Sequence, residues 1–176
     1  MADLLTHVLM AYIVAKLLSL RYEWITSPYL TAAMLGGVLP DLNRIDLLLS
    51  ADTIEAVTGL PFSWGGLHRG GPVFVLALII AYLVQRPYRK RVFTLIALGV
   101  GLHLVSDLFL GSGLAPSYAL MWPLSGWEPV VPGFFNSRDI RIAPMFMVLS
   151  AATWVFVEWR KASTDPRRSL SNQPAD

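Results

Sequence analysis

Long apolar stretches separated by short polar segments dominate the chain. Residues 4–20 are apolar apart from Thr6, His7, Lys16 and Ser19. Residues 28–39 form a shorter run rich in small side chains, among them Ala32, Ala33, Gly36 and Gly37. Residues 72–84 are almost purely aliphatic, and residues 92–110 form a long apolar stretch interrupted by His103, Ser106 and Asp107. The last run, 142–159, places Trp154 and Trp159 as interfacial anchors. A helix that crosses a bilayer needs about 20 residues, within a range of about 17 to 25. The first, fourth and fifth runs meet that length, and the third meets it once its flanks continue the helix. The second is too short to cross alone and reads as a half-helix, a packed re-entrant helix or one extended back to Trp24. The pattern predicts an all-α membrane protein: a bundle of four transmembrane helices plus a short fifth helix.

Composition agrees with a membrane solvent. The chain is 55% apolar and 15% charged, whereas soluble domains are about one quarter charged. Cysteine is absent, which removes disulfides, thiolate metal sites and a cysteine nucleophile together. The net charge of +2 is too small to imply nucleic acid, and the basic residues are not interleaved with aromatics as a single-strand binder requires. There is no internal repeat of the kind many transporters carry. The first run has no basic segment before it and no small-residue cleavage site after it, so a retained helix is expected rather than a signal peptide. One membrane-embedded domain is expected over residues 1–161, followed by a polar, disordered cytoplasmic tail over 162–176.

Basic residues set the orientation. Lys16, Arg21, Arg86, Arg89, Lys90, Arg91, Arg160, Lys161, Arg167 and Arg168 fall on one side if the second run crosses or nearly crosses. Arg44, Arg69, Arg138 and Arg141 fall on the other. The positive-inside rule assigns the first group to the cytoplasm and the N-terminus to the outside of a plasma or inner membrane.

That topology gathers the polar residues that an apolar bundle tolerates least. The three histidines, His7, His68 and His103, together with Asp41 and Asp107, all fall on the outer side. His103 and Asp107 have the i, i+4 spacing that stacks two side chains on one helix face, and imidazole nitrogen and carboxylate oxygen are both zinc-competent ligands. Asp3 and His7 repeat the spacing in reverse order. Each has a plainer reading. His103 and Asp107 can be a polar pair joining two helices, His7 a packing residue beside Thr6, His68 an ordinary loop histidine among glycines, and Asp41 a helix cap. Asp46 and Asp52 read as solvated. Arg69 suits an anionic substrate group or a lipid headgroup.

Five short motifs then occur in order: Thr6-His7, Leu39-Pro40-Asp41-Leu42-Asn43, Leu67-His68-Arg69-Gly70, Gly101-Leu102-His103-Leu104-Val105-Ser106-Asp107-Leu108 and Met121-Trp122-Pro123-Leu124-Ser125. From about Met1 to Ser125 the chain resembles a family of small inner-membrane metal-dependent hydrolases, the LexA-regulated membrane-bound hydrolases. The resemblance implies a metal centre built from His7, Asp41, His68, His103 and Asp107, loosely like that of zinc-dependent phospholipase C. Asn43 stands where the family usually has a second aspartate, and Val73 stands where its third motif has a second histidine. These departures favour one metal over two, or a degenerate site.

The resulting expectation is a membrane-embedded hydrolase using a divalent ion, zinc by preference, on a membrane lipid or lipid-linked ester or phosphoester. Asp41 and His68 are its expected catalytic residues and Arg69 its substrate contact. No G-x-S-x-G motif competes. The alternative is a non-enzymatic membrane protein whose His103 and Asp107 form a proton or cation site. The loop 111–141, rich in Pro, Gly and aromatics, is expected to cover the polar cluster.

Overall fold

The computed structural model describes residues 4–109, 121–128 and 139–164, and these contain six α-helices and no strand. They are α1 (Leu4–Leu18), α2 (Ser27–Val38), α3 (Ala51–Thr58), α4 (Gly70–Leu83), α5 (Arg89–Leu108) and α6 (Ile142–Ser163). Tighter 3-10 turns occupy Leu39–Leu47, Trp64–His68 and Arg86–Tyr88.

Local chemistry accounts for the boundaries. Pro28 lies in the first turn of α2, where its missing N–H costs nothing and its fixed φ suits a helix. Pro40 then accompanies the change from α2 to the 3-10 turn. Ser50 caps α3 by accepting from the Thr53 N–H at 3.2 Å, and Gly59 ends it with φ 68°, a left-handed conformation that only glycine adopts without cost. The polar Gln85-Arg86-Pro87 sequence stops α4 and redirects the chain into α5.

α2 packs between α1 and α5; α4 covers another side of α5, and α6 lies along α1. Small residues permit the central contact. A Cβ at Gly36 would strike the Ile96 carbonyl, and one at Gly99 would strike the Ala33 carbonyl. The two backbones therefore touch, the close approach that small residues allow between membrane helices. Fully buried Ala11, Ala15, Ala33, Val73, Ala77, Ile96 and Val100 fill the space around this crossing.

The outside is apolar as well. Val75, Leu78 and Ile79 on α4, and Val148, Trp154, Val155 and Trp159 on α6, are exposed. A surface of this kind, on helices that satisfy their own backbone hydrogen bonds, suits a hydrocarbon solvent. Two helical segments, Arg86–Leu108 and Ile142–Ser163, are long and apolar enough to cross a membrane. α1 and α4 are apolar but span only 15 and 14 residues. The expected all-helical class is found, while two helices rather than four reach spanning length. α1 ends two residues before the apolar run does, at a turn in which the Ser19 hydroxyl donates to the Lys16 carbonyl at 2.7 Å. α5 starts three residues earlier than the apolar run because its basic first turn is helical too, and α6 continues to Ser163, past the expected start of the tail. Helix α3 was not anticipated. Residues 165–176 of the tail lie outside the described residues.

Candidate metal centre

The antiparallel course of the helices brings the first turns of α1, the end of α2, the start of α4 and the end of α5 to one end of the bundle. The segment from Leu39 to His68 folds back over that end, its two 3-10 turns packed on each other. His7 enters from α1, Asp41 and His68 from the two turns, and His103 and Asp107 from the last part of α5. All five are buried, between 0% and 7% exposed.

Asp107 is the hub. Its Oδ1 lies 3.3 Å from His7 Nε2, and its Oδ2 lies 3.3 Å from His103 Nε2 and 3.6 Å from His68 Nε2. His68 Nε2 is also 4.0 Å from Asp41 Oδ1. The His7 and His103 rings stack with centroids 3.8 Å apart, and the His68 ring meets His103 edge-on at 5.5 Å.

Hydrogen bonds behind the rings assign the tautomers. His103 Nδ1–H donates to the Gly37 carbonyl at 2.8 Å. The Ser106 hydroxyl donates to the His103 carbonyl at 2.8 Å, so it accepts from His7 Nδ1–H at 3.1 Å. With Nδ1 engaged in this way, the Nε2 of each ring is turned toward an Asp107 oxygen. Such an arrangement needs protons or a cation between its members, because buried charge without compensation is costly. His103 Nε2 and Asp41 Oδ2 are buried and make no hydrogen bond among the described residues.

The donor set fits a metal ion. Two triads, His7–His103–Asp107 and Asp41–His68–His103, have ligand atoms all within 4.8 Å of one another. Donors bound at about 2.0–2.2 Å in a tetrahedron sit roughly 3.3–3.6 Å apart, the range of the Asp107 contacts. The backing of the His7 and His103 Nδ1 atoms by oxygen acceptors is what ligating histidines generally show.

Around this core, Arg44 Nε lies 3.6 Å from Asp41 Oδ1 with its side chain partly exposed. Arg69 is exposed, with its guanidinium 5.5 Å from the Trp122 ring centroid. The Gly71 N–H donates to the Trp122 carbonyl at 2.8 Å, which fastens residues 121–124 beside the start of α4. This described piece of the expected cover thus lies beside Arg69 and Gly71; residues 110–120 and 129–138 of the same loop lie outside the described residues, as does Asp3. Asp46 accepts from the Ala51 N–H at 3.0 Å and serves the start of α3. Asn43 turns a buried Oδ1 with no hydrogen-bond partner among the described residues. Val73, at 0% exposure, belongs to the apolar core instead. Two contributors escaped the sequence reading as functional groups: the Gly37 carbonyl and Ser106. Ser106 lies one position before Asp107 and three after His103, a spacing that was available as a signal.

Compared with known families, the chain matches one described as YdjM inner membrane protein over residues 1–166. Comparison with curated proteins and with solved structures returns no match.

Proposed function

The chain belongs to the YdjM inner membrane protein family, and on that premise we propose that it is a membrane-embedded metal-dependent hydrolase acting on a lipid-linked ester or phosphoester. The carrying observation is the gathering of the Nε2 atoms of His7, His103 and His68 within 3.3–3.6 Å of the Asp107 carboxylate oxygens. In this reading His7, His103 and Asp107 hold one divalent ion, zinc being the expected species for a nitrogen and oxygen donor set of this size. Such an ion supplies Lewis acidity toward water and toward an ester or phosphoester oxygen. Asp41 orients the attacking water and accepts its proton at Oδ2. His68, between Asp41 and Asp107, carries that proton toward the leaving group. Arg69, exposed beside His68, meets an anionic part of the substrate.

The same reading makes α1, α4, α5 and α6 cross the inner membrane, with α2 packed as the short fifth helix. The basic ends of α1, α5 and α6 then face the cytoplasm, and the centre faces outward near the headgroup layer. One domain over 1–161 carries the site, and the polar remainder forms a cytoplasmic tail.

Elemental analysis of protein purified in mild detergent tests the reading most directly. The expected result is about one equivalent of a divalent metal, as three protein donors around a single position with one place left open imply, together with chelator-sensitive hydrolysis of fluorogenic ester or phosphodiester lipids. Metal-free protein without hydrolysis would leave the His103–Asp107 pair as a proton or cation site.

A further inference from the structure

A concavity lies beside the centre. The groove has a volume of about 390 Å³ and is walled by Leu42, Ile45, Phe62, Trp64, Leu67 and Leu76, with Ser63 the one polar side chain among its lining residues. Its volume falls within the range of about 300–1,000 Å³ usual for ligand sites. It shares its walls with the metal centre in the most direct way the chain allows: Leu42 follows Asp41, and Leu67 precedes His68.

The walls are held from behind. Phe62 and Trp64 meet edge to face with centroids 4.9 Å apart. The Trp64 indole N–H donates to the Leu49 carbonyl at 2.8 Å, and the Phe62 N–H donates to Glu55 Oε1 at 2.6 Å. The polar edge of Trp64 is thereby satisfied, leaving its ring as wall.

We propose that this groove binds one acyl chain of a membrane lipid whose head portion reaches the metal centre. Three observations select that occupant. The lining offers almost nothing to hydrogen-bond, so it selects a hydrocarbon. Its Leu76 wall continues onto the exposed α4 face of Val75, Leu78 and Ile79, the surface already suited to hydrocarbon. Arg44 and Arg69 stand on the same two segments as the wall residues, two positions from Leu42 and from Leu67, where an anionic head can be met. An apolar slot with guanidinium groups on the segments that wall it complements an amphiphile with an anionic head. The assignment of that lipid as substrate rests on the hydrolase reading; the groove's affinity for an acyl chain does not.

The test uses full-length protein in vesicles of phosphatidylethanolamine and phosphatidylglycerol, doped with a phosphatidylglycerol bearing a diazirine in the middle of one acyl chain. After illumination, label is expected on peptides containing Leu42, Ile45 and Leu67. Ile45→Trp and Leu76→Trp, which fill the groove from opposite walls, are expected to reduce that label severalfold, whereas Leu78→Trp on the outer face leaves it unchanged. Each variant counts only if its size-exclusion profile matches the parent, and either filling variant suffices alone. Label confined to the outer faces of α4 and α6, or groove label indifferent to filling, overturns the proposal. Metal content read on the same samples keeps the two ideas apart: groove label on a metal-free protein supports the groove and removes the hydrolase.

Discussion

The hydrogen bond from His103 Nδ1 to the Gly37 carbonyl settles what that imidazole can do. With Nδ1 committed as a donor, Nε2 is the atom left to serve as a ligand in the proposed centre, and Ser106 performs the same service for His7. Replacing His103 by Ala is expected to release the ion while preserving the fold, measured by elemental analysis and size-exclusion chromatography. Glu128→Ala and Asp139→Ala alter exposed acids outside the motifs and are expected to leave the metal content unchanged. Ser106→Ala tests the orienting role separately. Loss of such a partner typically weakens metal affinity about 10- to 100-fold, so a competitive chelator titration should shift by that amount with no change in helix content. The residues that converge here were legible in the sequence because ionisable groups stand out in apolar runs. Their orientation was not: a backbone carbonyl on another helix leaves no mark at residue 103.

At the scale of elements, glycine decides how near α2 and α5 can come. Gly99→Leu would drive a side chain into the Ala33 carbonyl and the Gly36 backbone, where nothing flexible can yield. Overpacking typically costs about 1–3 kcal/mol, and here the displaced atoms are backbone, so a clear fall in detergent melting temperature is expected. The same variant should lower metal content, because Gly37 next to the crossing supports His103. At the opposite end of the bundle, Lys16 on α1 donates to Glu158 Oε1 on α6 at 2.7 Å. The Lys16 side chain is 10% exposed and that of Glu158 50%. Glu158→Gln keeps the shape and an acceptor oxygen but removes the charge, and for so exposed a partner a loss of about 0.2–1 kcal/mol is expected in a detergent melting experiment. Reading this end from sequence, Lys16 counted only as a topological charge, since a partner 142 positions away is invisible to local pattern. Helix α3 was missed for another reason. Its cap at Ser50 and stop at Gly59 are written in the chain, but it buries no residue, so no apolar periodicity announces it.

For the whole molecule, the absence of cysteine makes orientation directly measurable. A single cysteine placed at Asp52 is expected to react with an impermeant maleimide in intact cells, and one at Tyr88 only after permeabilisation. The reverse pattern would turn the centre toward the cytoplasm and change its substrates. The side assignment came from charge distribution alone, whereas the convergence of five polar residues at one end follows from helix alternation. Span length was the part that pattern overstated, because apolar runs do not reveal where a polar turn will end a helix. The centre draws on positions from His7 to Asp107, and this spread has a consequence for biogenesis. No short stretch of nascent chain contains the set, so its members can meet only once α5 has followed α1 and docked on α2 at Gly99. Loading of the proposed ion would therefore be a late checkpoint, reporting that the helices on both sides of α2 have assembled in register.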